Sequence, residues 1–107
     1  MTKKEVQESM NDCVLSYINR INEIGIDGKG ERLRTCKAKV FSIPGFKILQ
    51  SYNTFVAAID LENDMLIDFL RFTYGFTNTS AQHIAKFSKD YGQGKWGCTN
   101  RIVYRPI

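Results

Sequence analysis

Apolar residues recur at spacings of three and four along the first quarter of the chain, at Val6, Met10, Val14, Tyr17, Ile21 and Ile24. That is one stripe of a helix. Thr2-Lys3-Lys4-Glu5 has the Ser/Thr-x-x-Glu form of a capping box and Gly25 is a natural stop, so the pattern predicts an amphipathic helix over about 3–24. Glu5, Glu8, Asp12, Asn19, Arg20 and Glu23 fall on its other face, leaving a single stripe to pack on the rest of the domain. After a glycine-rich loop at 25–30, read as flexible, the period falls to two from Arg34: Cys36, Ala38 and Val40 alternate with Lys37, Lys39 and Phe41, as in a half-buried strand. Ile43-Pro44-Gly45-Phe46 reads as a turn, Lys47 to Tyr52 as a second strand and Thr54 to Asp60 as a third. Glu62-Asn63-Asp64 turns the chain into a fourth, from Met65 to about Tyr74.

Thr77-Asn78-Thr79-Ser80 offers several N-caps, and Ile84, Phe87, Ser88 and Tyr91 follow at helical spacing, which predicts a short helix at about 79–91. Gly92, Gly94 and Gly97 surround Trp96 in what reads as a mobile loop, and Cys98 to Tyr104 reads as a last strand. The expected fold is α+β: an N-terminal helix, an antiparallel four-strand meander, a short second helix and a final strand, in the order α-β-β-β-β-α-β. No repeat, linker or low-complexity tract divides the chain, so residues 1–107 are expected to form a single domain.

Composition narrows the class. At 107 residues the core is small, and 43% hydrophobic against 24% charged residues is ordinary for a soluble fold. The longest apolar runs, such as Phe55 to Ile59, fall far short of the roughly 18 residues of a membrane span. Lys3, Lys4 and Glu5 lead into no signal-peptide apolar region, so the expectation is a soluble, unexported, cytoplasmic protein with no membrane contact. The three cysteines, Cys13, Cys36 and Cys98, lack the close pairs of zinc or redox sites and read as buried thiols in a reducing compartment, with any Cys36–Cys98 contact incidental.

The net charge of +4 is unevenly spread. Residues 1–27 hold three basic and five acidic groups, net −2, and residues 55–92 hold the same numbers. Residues 28–54 hold six basic and one acidic, net +5, and residues 93–107 hold three basic and none acidic, net +3. Paired as neighbouring strands, the two positive stretches would make one basic face for nucleic acid or an acidic protein surface. The plainer alternative is a solvated sheet whose lysines guard an edge.

Little points to catalysis. His83 is the sole histidine, one helical turn after Thr79, and no Ser-His-Asp or Cys-His signature accompanies it. It reads as a structural histidine hydrogen-bonded at a helix-to-sheet junction, or as a partner contact. Asp60, Glu62, Asp64 and Asp68 crowd one hairpin turn but lack the glycine and distal glutamate of a calcium loop, so they read as a solvated turn. Gly25 to Gly30 lacks the spacing and Gly-Lys-Ser/Thr ending of a phosphate loop. The chain is therefore read as non-enzymatic, with no catalytic residue, cofactor or metal. The aromatic residues are more informative, because Tyr52, Tyr74, Trp96 and Tyr104 fall near Lys39, Lys47, Lys95, Arg101 and Arg105 at strand ends or in loops. Such a mixture suits a single-strand stacking groove or a protein hot spot. The candidate partner-binding residues are Lys37, Lys39, Trp96, Arg101, Tyr104 and Arg105, with Trp96 as the anchor. Neither an RNP-type sequence nor a basic recognition helix is present.

The segment Ser51-Tyr-Asn-Thr-Phe-Val-Ala-Ala-Ile-Asp60, followed by Thr79-Ser-Ala-Gln-His-Ile-Ala-Lys-Phe87, resembles small uncharacterised proteins of bacteriophages and mobile elements. In these an S-Y-x-T-x-V-A-x-I-D strand pair precedes a T-x-x-x-H-I-x-x-F helix, and the likeness spans about residues 46–91. It implies a phage or prophage product acting in the bacterial host cell on a host protein or ribonucleoprotein complex, as an inhibitor of nucleic-acid-handling defence of the anti-CRISPR kind. A basic chain does not suit wholesale mimicry of DNA. The alternative is a sequence-independent single-stranded nucleic-acid-binding protein, and the third reading is a small enzyme with an unrecognised site.

Overall fold

A computed structural model describes residues 2–33, 35–75 and 77–107, with the backbone alone for 35 and 36. Helix α1, Lys3–Ile24, starts on the expected capping box: Thr2 Oγ1 accepts from Glu5 N–H at 3.1 Å and Glu5 Oε1 accepts from Thr2 N–H at 3.4 Å. It stops at Gly25, whose φ of +83° favours glycine. Only the middle of the predicted stripe is covered. Val14 and Ile21 are buried, whereas Val6 and Ile24 are 46% and 45% exposed, because a helix of about 33 Å overhangs the part of the sheet it crosses. Asn11, absent from the apolar pattern, is buried in their place.

The strands are β1 (Glu31–Leu33), β2 (Thr35–Ile43), β3 (Phe46–Ser51), β4 (Thr54–Asp60), β5 (Met65–Asp68) and β6 (Asn100–Val103). They form one sheet in chain order, β1-β2-β3-β4-β5-β6. The antiparallel meander expected from the sequence is present as β2 to β5, with Gly45 at φ +83° in the turn between β2 and β3. Two corrections follow. Glu31–Leu33, expected to precede the first strand, adds an antiparallel edge strand to β2, and the predicted strand start at Arg34 lies outside the described residues. The last strand joins parallel to β5, making the sheet mixed. A parallel neighbour needs a crossover, and the helical segment after β5 supplies it.

The fourth strand also ends earlier than Tyr74. After Asp68 the chain turns into helix α2 (Leu70–Thr73), then α3 (Asn78–Tyr91). Asp68 Oδ1 accepts from Leu70 N–H at 3.1 Å and Thr73 Oγ1 donates to the Phe55 carbonyl at 2.8 Å, so side chains divert the backbone where the apolar pattern continues. The order is α-β-β-β-β-β-α-α-β.

Both faces of the sheet are covered. On one, Ala38, Val40, Leu49, Ile59 and Leu66 pack with Ile84 and Phe87 of α3. On the other, Ile43, Phe46, Ile48, Ala58 and Ile67 pack with Val14 and Ile21 of α1. Strand β4 therefore carries an unbroken buried run, Val56 to Asp60, as expected for a strand sandwiched between two layers. Helix α1 reaches from β6, where Gln7 and Asn11 bond Val103 and Arg105, to β3, where Tyr17 meets Phe46 edge-on at 6.1 Å.

Candidate functional site

Trp96 is 79% exposed, the most exposed large apolar side chain of the described residues. Its loop, read from its glycines as mobile, is tied by hydrogen bonds to neighbouring elements. Asp64, between β4 and β5, accepts from Gln93 N–H at 2.8 Å, Thr99 N–H at 2.9 Å and Thr99 Oγ1 at 2.5 Å. Buried Ser88 of α3 accepts from Cys98 N–H at 3.1 Å, and Gln93 Nε2 donates to the Leu61 carbonyl. Gly94 and Gly97 bridge antiparallel, and a Cβ on Gly94 would lie 2.3 Å from the Gly97 carbonyl oxygen. Glycine serves close backbone approach here, and the indole is displayed from a braced turn with Lys95 Nζ 5.5 Å from its ring centroid. The Thr99 hydroxyl and then the Gln93 and Thr99 N–H groups hold the Asp64 carboxyl below the usual carboxylate range.

The remaining predicted residues do not converge. Lys37 and Lys39 are on β2 and Arg101 on β6, with three strands between, so the two basic stretches sit toward opposite edges and do not pair. Register places Lys39 and Phe41 on the α1 side of the sheet, while Arg101 reaches Ser88 Oγ of α3 at 3.5 Å on the other. Tyr104 packs edge-on against Phe72 at 5.2 Å, and the Arg105 backbone is bound by Asn11. What the sheet does assemble is a row, Arg32, Lys39, Gln50 and Phe55, opposite one another on β1 to β4. Next to it, Phe41 and Phe55 meet edge-on at 5.5 Å. A groove of about 390 Å3 opens beside Phe55, under the C-terminal half of α1. Arg32, Gln50 and Phe55 carried no signal in the sequence, because register across four strands is not local.

His83 lies where expected, at a helix-to-sheet junction, with Nδ1 2.8 Å from Ser51 Oγ. Its partners are Ser51 and, through that hydroxyl at 2.9 Å, Ser80 rather than Thr79. Burial lowers the His83 pKa. A serine beside a histidine is half of a nucleophilic pair, but Ser51 is 1% exposed and among the described residues no carboxylate orients the ring.

The carboxylate turn is not simply solvated. Asp60 is 3% exposed and accepts from Tyr17 Oη at 2.9 Å, Asn63 Nδ2 at 2.8 Å and the Glu62 N–H at 3.1 Å. Burial pushes its pKa up, and the hydrogen bonds from Asn63 and Tyr17 outweigh this and hold it below the ordinary value. Cys13 is exposed and Cys98 half-buried, so the thiols are not uniformly buried, and the Cys36 side chain lies outside the described residues. Among the described residues no three His, Cys, Asp or Glu side chains gather as a metal site, and no helix is long and apolar enough to cross a membrane.

The model of a family of unknown function, DUF8033, matches residues 22–103, three quarters of the chain and every strand of the sheet. The chain belongs to the DUF8033 family. The matched span takes in the Trp96 loop, the Arg32 to Phe55 row and the Ser51–His83 pair, and leaves out most of α1. No curated protein and no solved structure matches the chain.

Proposed function

We propose that this chain is a non-enzymatic binding protein of phage or mobile-element type, which occupies and inhibits a host nucleic-acid-handling defence complex in the anti-CRISPR manner. The supporting observation is the Trp96 loop. An indole that is 79% exposed costs nothing to the core, and its bracing by Asp64 and Ser88 means that little conformational entropy is lost when a partner pocket receives it. Lys95 beside the ring adds a cation for an acidic rim. The test is capture from a bacterial lysate with tagged wild-type chain and with Trp96→Ala, each with and without nuclease. A protein captured by wild type, retained after nuclease and lost with the variant is the expected result; equal capture by both chains overturns the role of the loop.

A second reading, sequence-independent binding of single-stranded nucleic acid, is favoured by the row of Arg32, Lys39, Gln50 and Phe55 on one sheet face. Cations and an aromatic ring in line are what a strand of phosphates and bases needs. Capture that vanishes with nuclease supports this reading against the first.

A further inference from the structure

The groove beside Phe55 is of small-molecule size, about 390 Å3. Buried Ile21, Ile48 and Phe69 line it, with the rings of Phe55 and Phe72, and it contains no charged side chain. Asn22 and Asn53, whose side chains end in carboxamides, also line it. Among the described residues neither has a hydrogen-bond partner within the chain, although each offers a donor and an acceptor. From Phe55 the row continues through Gln50 to Lys39, two strand spacings or about 10 Å away, and then to Arg32. Among the described residues neither cation has a carboxylate within ion-pair distance.

We propose that this groove binds a nucleobase that carries a phosphate, the ring against Phe55 and Phe72, its edge on Asn22 and Asn53, and the phosphate directed across Gln50 toward Lys39. The proposal deepens the single-strand reading and in part rests on it, since an unstacked base of a strand and a free nucleotide present the same chemistry. Aromatic walls suit a base's faces, and a carboxamide matches the donor–acceptor edge of a base such as adenine. An alkyl chain would fill the same volume but use neither carboxamide.

The test uses the full ¹⁵N-labelled chain titrated with adenosine monophosphate, with a short single-stranded oligonucleotide, with the same oligonucleotide made abasic, and with dodecanoate. Asn22→Ala, Asn53→Ala and Phe72→Ala alter exposed side chains, and an unchanged melting midpoint establishes that each variant is folded. The expected result is that adenosine monophosphate shifts the resonances of Asn22, Asn53 and Phe55. Each asparagine variant then binds about five- to tenfold more weakly, as loss of one hydrogen bond implies. Lys39→Gln should flatten the log–log salt slope of oligonucleotide binding by about 0.7. Binding of the nucleotide without the oligonucleotide keeps the groove proposal and removes the single-strand reading. Equal binding of normal and abasic strands, unaffected by the three variants, keeps the single-strand reading and overturns the groove. Dodecanoate in the groove with no nucleotide bound, or no ligand there at all, overturns it too.

Discussion

Asn11 and Arg105 pair as two strands would. Asn11 Nδ2 donates to the Arg105 carbonyl at 2.7 Å, and Asn11 Oδ1 accepts from the Arg105 N–H at 3.0 Å. One turn earlier Gln7 Nε2 donates to the Val103 carbonyl at 3.0 Å and to Asn11 Oδ1 at 2.7 Å, while the Met10 sulfur accepts from Val103 N–H at 3.5 Å. Helix side chains thus satisfy the C-terminal end of the outer edge of β6, which would otherwise be open for pairing with another chain. The opposite edge is guarded by brevity, three residues that include Glu31 and Arg32. Asn11→Ala should remove three hydrogen bonds, two with Arg105 and one from Gln7, costing about 1–3 kcal/mol and lowering the midpoint of thermal unfolding by on the order of 10 °C. Calorimetry checks this; a change of under a degree would mean the edge is not held by this residue.

The stripe on α1 is unequal in energy. Ile21→Ala should cost about 2–5 kcal/mol, because the side chain is 3% exposed over the sheet, whereas Val6→Ala, at 46% exposure, should stay within about 0.5 kcal/mol. Since a domain's whole stability is about 5–15 kcal/mol, removal of residues 1–25 should abolish the cooperative transition. Urea melts of the three chains separate these outcomes, and a truncated chain that melts near the full-length midpoint would make α1 a detachable element.

For the Trp96 loop, stability and binding should part company. Trp96→Ala should leave the midpoint unchanged to within about 0.5 kcal/mol and weaken the captured complex by about 2 kcal/mol or more. Gly94→Ala keeps the indole but sets a Cβ 2.3 Å from the Gly97 carbonyl oxygen, so it should weaken the complex through displacement of the turn. Binding titrations of both variants test this, and a Gly94→Ala chain with full affinity would show that the turn need not be braced.

Asp60 and His83 should shape stability against pH in separate windows. The folded pKa of Asp60 is depressed, so its contribution is complete above the unfolded value of about 3.9 and is lost as pH falls through the folded value. Burial depresses the folded pKa of His83, so as pH falls below about 6.5 the unfolded chain takes up the proton first and stability declines toward the folded value. His83→Gln should flatten the curve just below pH about 6.5, and Tyr17→Phe, which removes one hydrogen bond to Asp60, should flatten the acid limb. Urea midpoints across pH measure both, and a wild-type curve level through the histidine window contradicts the second assignment.

The elements were legible because their signals are local. The capping box at Thr2 and Glu5 and the Pro44–Gly45 turn each span four residues or fewer, and the structure places both where the sequence does. The fourth strand was overrun because Phe69 and Leu70 continue an apolar pattern while Asp68 turns the backbone. His83 at a junction could be anticipated from its place on an amphipathic helix, but Ser51 as its partner could not, being 32 residues away.

By itself the sequence determined an N-terminal helix, an antiparallel meander and a later helix, since period, caps and turn residues act within a few positions of the chain. Tertiary structure alone decided that β6 joins parallel at the far edge, which sends the two basic stretches apart and leaves Lys39 in line with Phe55 instead of Arg101. It also decided which polar groups are structural. Tyr17 with Asp60, Asp64 with Thr99 and Asn11 with Arg105 are 43, 35 and 94 residues apart, and a carboxylate or carboxamide at such a position looks solvated until the fold brings its donor to it. For the buried Asp60 and Asn11, the cost of leaving the group unpaired arises only once the layers close, and no pattern along the chain records it.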